Sequence, residues 1–203
     1  MNLTPLSQLG PSRLNDLAAL HHATMHTLLA DLGLPVVQRY YQICQRDPSV
    51  IGVCGISPLP MGVGAEILGW AVGSPHPEAI NAQLRTPLPW FAGQMLRLAL
   101  TRPGTLLQLA QSVLAPSEAN ALRPGQIELT YIGVAESARG QGLGKGLLIA
   151  FLKASRAAGH TSAALSVETD NPAALALYAQ AGFKVTKSFR EGRFERQRME
   201  LAL

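Results

Sequence analysis

The 203-residue chain is 47% apolar and 15% charged, which supports a sizeable core and excludes wholesale disorder. Its length fits one domain, or one domain with a large insertion. Seventeen basic against thirteen acidic residues leave a net charge of +4, a mild excess that favours anionic ligands without pointing to nucleic acid.

The segments alternate in type, as in an α/β or mixed α+β domain. Residues 3–7 read as a short first strand. Residues 11–25 read as a helix, because Leu14, Leu17, Ala18 and His21 repeat at helical spacing. A second helix covers 35–45 and stops at Asp47-Pro48. Strands at 50–56 and 65–72 flank a turn marked by Pro58, Pro60, Gly62 and Gly64. The next fifty residues carry no acidic side chain from Ala79 to Ser117. Leu106, Leu109, Ala110, Val113 and Leu114 form an apolar stripe, and 89–100 reads as a companion helix beyond Pro103-Gly104. Residues 75–117 are therefore expected to be a helical insertion.

From residue 126 the order is clearer. Residues 126–134 are a strand, 142–158 a helix broken at Gly159, and 162–167 a strand. Residues 171–181 are a helix with Asn171 as N-cap, Pro172 at its first position and Gly182 just past its end. Residues 183–189 and 193–201 read as a closing hairpin around Glu191-Gly192.

Several function classes drop out. Residues 1–10 lack the basic and apolar regions of a secretory leader. No run of about 18 apolar residues exists to span a membrane; the richest window, 88–100, is broken by Gly93, Gln94 and Arg97. Cys44 and Cys54 are isolated thiols, which fit a reducing, cytoplasmic setting. His22 and His26 are four apart but have no third ligand partner in the sequence, so no metal is expected. The basic run Lys184, Lys187, Arg190, Arg193, Arg196 and Arg198 is interleaved with Glu191, Glu195 and Glu200. It reads as a solvated hairpin edge rather than a nucleic-acid stripe, and no aromatic stacking platform accompanies it.

The most informative segment joins a strand to a helix through Arg139-Gly-Gln-Gly-Leu-Gly-Lys145-Gly146. Glycines let backbone N–H groups converge, and a helix start adds its positive end, so the loop suits a diphosphate. Arg139 and Lys145 add charge, and no carboxylate occurs from Ser137 to Val167. A Walker loop does not fit, because Gly140 and Gly144 are too close and Gly146 follows Lys145 where a hydroxyl is needed. A Rossmann fingerprint does not fit either, because the third glycine is misplaced.

Arg139-Gly-Gln-Gly-Leu-Gly resembles the R/Q-x-x-G-x-G/A pyrophosphate loop of the GNAT superfamily of N-acetyltransferases, which bind acetyl-coenzyme A. Asn171-Pro-Ala-Ala-Leu-Ala-Leu-Tyr178-Ala-Gln-Ala-Gly182-Phe183 resembles that family's second motif. The resemblance covers residues 126–203. It implies a single GNAT domain over 1–203, with a mixed, mostly antiparallel sheet flanked by helices. The helical insertion would lie between the third and fourth strands, and 126–203 would be the acetyl-CoA-binding core. It further implies cofactor contacts from Ile132, Gly133 and Val134 along the fourth strand. Arg139, Gly140, Gln141, Gly142, Leu143, Gly144 and Lys145 would contact it in the loop, and Asn171 and Tyr178 beyond it. No metal is implied.

Acetyl transfer to an amine sets three demands. An alkylamine with pKa ~10.4 is under ~0.1% neutral at pH 7, so a base is worth ~10²–10⁴ in rate. Glu128, on the strand where some relatives place a catalytic glutamate, is the candidate; the alternative is a solvated strand glutamate beside an arginine. Period-2 alternation puts it on a face with Thr130, Ile132 and Val134, unless a bulge eased by Gly133 shifts the parity. Glu168 is a second choice, better suited to the loop before Asn171. A backbone N–H near Val134 would serve the developing oxyanion. Tyr178 matches the family's general acid, but a phenol is a weaker acid than a thiol, so it would stabilise the leaving thiolate mainly by a hydrogen bond; the alternative is a core tyrosine.

The acceptor is a primary amine on a small molecule or a protein. Trp90, Phe91, Arg85 and Arg97 in the insertion would line its pocket, or the insertion is an extra apolar layer or a homodimer face. A non-catalytic CoA-binding or sensing module of the same fold is the second functional class.

Overall fold

The computed structural model describes residues 2–57, 66–101, 104, 121–191 and 194–203. The strands are β1 (Asn2–Pro5), β2 (Ile51–Ser57), β3 (Glu66–Ser74), β4 (Gln126–Val134), β5 (Ser162–Glu168), β6 (Lys184–Glu191) and β7 (Phe194–Ala202). They form one sheet in the order β1-β2-β3-β4-β5-β7-β6. Among the described residues, only β4 and β5 pair in parallel. The helices are α1 (Pro11–Thr24), α2 (Leu28–Asp31), α3 (Leu34–Arg46), α4 (Pro77–Leu84), α5 (Leu88–Thr101), α6 (Leu143–Ala157) and α7 (Pro172–Gln180).

Each face of the sheet carries its own core. On the front, α1 contributes Leu14, Leu17 and Ala18, and α3 contributes Val36, Val37, Tyr40, Tyr41 and Cys44. These sit one helical turn apart and pack on Cys54, Trp70 and Val72 of the sheet. On the back, Leu143, Leu147, Leu148 and Phe151 of α6 and Tyr178 of α7 pack on Val53, Ala71, Ile127, Leu129 and Leu165. Burial of large aliphatic side chains at roughly 1.5–3 kcal/mol each drives both layers.

The first strand is shorter than expected. It ends at Pro5, and Leu6–Gln8 form a 3₁₀ turn that buries Leu6. Gln45 of α3 secures that turn by donating to the Leu9 carbonyl at 2.6 Å. The short helix α2, capped by the Thr27 hydroxyl, has too few residues to show a period. Within the 75–117 stretch, α4 buries Ile80 and Leu84 in the front core. α5 buries Leu98 and leaves Leu96 and Leu100 exposed. The expected helix around 106–114 lies outside the described residues.

β4 departs from simple alternation. Val72 pairs with Tyr131 and Gly73 with Leu129, so Thr130 is an extra residue on β4. Ile127, Leu129, Ile132 and Val134 all pack on the back core, whereas Tyr131 packs on the front. The expectation that Glu128 shares a face with Ile132 and Val134 is thus overturned by the bulge, which sits at Thr130. A Cβ on Gly133 would run into the front-face Trp70 ring, so Gly133 faces forward too.

Candidate active site

β4 and β5 pair only through Gln126↔Ser162, Ile127↔Ala163 and Glu128↔Ala164. Beyond Glu128 the two strands diverge. The other edge of β4 remains zipped to β3, with Ala71↔Ile132, Trp70↔Gly133 and Gly69↔Val134. Among the described residues no strand lies beside β4 beyond Glu128 on that edge, so its main-chain groups are turned toward the gap. The glycine loop lies at the wide end of this gap.

Loop geometry follows from the glycines. Gly140 (φ +74°) and Gly142 (φ +77°) hold left-handed backbone that other L-residues adopt at a cost. A Cβ at either would project into open space, leaving a cradle where a ligand's backbone-bound group can approach closely. Gly142 caps α6 with no side-chain acceptor, so the amides of Leu143, Gly144 and Lys145 have no intrahelical partner. The Leu143 side chain is buried, so that residue presents only its amide. Gln141 donates to the Ser137 carbonyl at 3.0 Å and Arg139 to the Val134 carbonyl at 3.4 Å, fixing the loop over the end of β4. Both loop side chains and Lys145 are exposed. Between α6 and α7 a cavity of about 120 Å³ is lined by Lys145, Leu148, Ile149, Leu177, Gln180 and Ala181. The fit to a diphosphate is that of a main-chain anion nest at the N-terminus of a 15-residue helix.

At the apex of the gap stands Glu128. Its Oε1 accepts a hydrogen bond from Arg198 Nη1 at 2.8 Å, and the same nitrogen donates to Ser166 Oγ at 3.1 Å. The Arg198 side chain is 4% exposed and that of Glu128 13%. One step outward, Arg196 pairs with Glu168 at 3.4 Å. The reading of Arg196 and Arg198 as a solvated hairpin edge is corrected here. β7 lies inside the sheet between β5 and β6, so Arg196 meets Glu168 on β5 and Arg198 reaches over β5 to Glu128 on β4. Glu168 is engaged by Arg196 and also precedes the Asn171 turn, whose amide donates to the Glu168 carbonyl.

Tyr178 belongs to the back core, with its ring edge-on to Phe183 at 5.8 Å. Burial pushes its phenol pKa well up. Glu128 and Tyr178 thus stand on opposite faces of the sheet, with the β4–β5 gap between them. Asn171 acts as the N-cap of α7, its side chain accepting from the Ala174 amide at 3.1 Å. In the insertion, Trp90 packs on the front core and carries Arg39 over its ring at 5.0 Å, while Arg85 and Arg97 are exposed. Cys44 and Cys54 are buried, and burial pushes both thiols up to about 12. Among the described residues, no group of three His, Cys, Asp or Glu could hold a metal ion. No helix among them is long and apolar enough to cross a membrane.

Comparison with known proteins agrees with this geometry. Residues 105–183, which include β4, the glycine loop, α6, β5 and α7, match the acetyltransferase (GNAT) family. A mycothiol acetyltransferase of Paenarthrobacter aurescens is 33% identical over 118 residues, 56% of this chain and 36% of that protein. A second, from Jonesia denitrificans, is 28% identical over 157 residues, 75% of this chain and 46% of that protein. The chain thus spans less than half the length of these curated relatives. The crystal structure of Arabidopsis thaliana NAA60 in complex with acetyl-CoA superposes with a TM-score of 0.62 at 15% identity, covering all of this chain and 98% of that one. The chain has the GNAT fold, and the match to the GNAT family is carried by residues 105–183.

Proposed function

We propose that this GNAT-fold chain is an acetyl-CoA-dependent N-acetyltransferase that acts on a primary amine. The single observation that carries the reading is the gap between β4 and β5, closed at Glu128 and opening onto the Gly140–Gly142 cradle. A carrier with a diphosphate at one end and a thioester at the other fits such a slot lengthwise. The main-chain amides of 143–145 would hold the diphosphate, with Arg139 and Lys145 at the rim. The β4 edge through Ile132, Gly133 and Val134 would pair with the arm, and Asn171 would reach it from α7.

The reaction forms a C–N bond and breaks a C–S bond. The acceptor enters from the front face, where Glu128 takes the amine proton directly or through a water. A β4 backbone N–H stabilises the carbonyl oxygen as charge develops on it. The thiolate departs toward the back face, where Tyr178 donates a hydrogen bond. Because burial makes its phenol still harder to ionise, Tyr178 stabilises the thiolate without surrendering its proton in that step.

The test is free-thiol release from acetyl-CoA across a panel of small-molecule amines and peptide N-termini. Release with at least one amine, abolished by Gly142→Asp in the cradle, is the expected result. Calorimetric binding of CoA with no release from any amine would leave the fold as a CoA-sensing module instead.

A further inference from the structure

We infer that Arg198 is a positioning residue for the acyl transfer, holding Glu128 at the apex of the β4–β5 gap. The inference rests on the reading of Glu128 as the base. β7 is two strands from β4, about 10 Å away at ordinary strand spacing. Arg198 spans that distance: it pairs with Ser166 on the intervening strand β5 and ends against Glu128 on β4. Backbone pairing between β4 and β5 stops at this level, at Glu128↔Ala164. The guanidinium therefore ties together, through side chains, the two strands whose main chains have just parted.

The environment argues against a purely structural ion pair. An arginine 4% exposed forgoes most of its hydration, which a buried pair seldom repays in stability. Its Nη1 is shared between Glu128 and Ser166, while its Nη2 has no hydrogen-bond partner among the described residues. Apolar replacement of a buried ion pair is often neutral or stabilising, so stability alone gives little reason for a guanidinium there. A guanidinium makes sense if Glu128 must stay ionised with its Oε1 held at one point, through a charge-assisted bond from an Nη1 that Ser166 also anchors. Arg196 does not substitute for it, since it is held by Glu168 two residue pairs farther along β5 and β7.

The test is a double-mutant cycle. Rates are measured with acetyl-CoA and the amine of the panel that gives the fastest thiol release, and expressed per CoA site counted by calorimetry so that misfolded protein does not enter. Arg198→Met is expected to lower kcat tenfold or more with the KM for acetyl-CoA unchanged, and Arg198→Lys to recover part of the loss. Once Glu128→Gln is present, Arg198→Met is expected to cost nothing further, because Arg198 acts through Glu128. A double variant slower by the product of the two single effects would overturn the inference and leave the base assignment standing. A Glu128→Gln protein at the wild-type rate, or no turnover with any amine, would instead overturn the reading beneath it.

Discussion

Acidification should destabilise this protein through one imidazole. His21 lies wholly buried between α1, α3 and the sheet. Its Nδ1 is 2.7 Å from the Tyr41 hydroxyl and its Nε2 3.3 Å from Thr27 Oγ1. Its ring stacks on Trp70 at 5.6 Å and meets Tyr131 edge-on at 4.8 Å. Burial first, and the neighbouring His22 second, lower its pKa from 6.5 to about 4. In the unfolded chain the imidazole takes up a proton near pH 6.5, while in the folded protein it stays neutral down to about pH 4. The unfolded state therefore binds more protons in this window, and stability rises with pH across it. The contribution is fully present above pH 6.5 and lost as pH falls toward 4. A shift of that size corresponds to about 3 kcal/mol at 1.36 kcal/mol per unit, a large share of a typical 5–15 kcal/mol. Urea unfolding followed by tryptophan fluorescence, with Trp70 as the adjacent reporter, is the assay, run from pH 7.5 to 4.5 on wild type and His21→Phe. Carboxylates titrate equally in both proteins, so the difference between the two curves isolates His21. That difference should close, or reverse in favour of the variant, by about 2–3 kcal/mol over the range. A difference flat with pH would refute the argument.

Three further outcomes follow from the same geometry. Gly73→Ala places a Cβ on the Glu128 carbonyl oxygen and 2.7 Å from the Phe151 ring; a loss of about 1–3 kcal/mol should appear in the urea midpoint, together with slower turnover, because the Glu128 backbone must move. Gly142→Ala must hold φ +77°, at a cost of about 1–3 kcal/mol, and calorimetry should show weaker CoA binding as well as the lower stability. Tyr178→Phe removes a hydrogen-bond donor and no buried charge, so kcat should fall with KM for acetyl-CoA unchanged. The wild-type to variant ratio should stay constant from pH 6 to 9, because the buried phenol does not ionise in that range.

Signals that act within a few residues were readable directly. Asn171, Pro172 and Gly182 mark the two ends of α7 by capping and left-handed geometry alone, and the structure places the helix at Pro172–Gln180 with Gly182 at φ +95°. The strand at 126–134 was legible from its bounds. Its facing was not: alternation cannot announce an extra residue, and Thr130 looks like any other strand threonine. Gly133, the glycine suspected of easing a bulge, instead answers to the Trp70 ring. The partner of Glu128 was hidden for a different reason. Arg198 is seventy residues away, and six basic side chains in one hairpin look solvated until the strand order puts β7 inside the sheet. The signal available was Met199, an apolar residue beside Arg198 that marks the strand's core face and puts Arg198 on the other; that β7 is internal follows from the strand order alone.

Among the described residues, the sheet is the wall between the two cores. Trp70 and Tyr131 belong to one side, Ala71 and Ile132 to the other, and the strands carrying them are common property. Such a partition separates two kinds of substitution. Substitutions among the front helices are accommodated around Trp70 and Tyr131, while the contacts of α6 and α7 with Ala71 and Ile132 lie beyond the sheet.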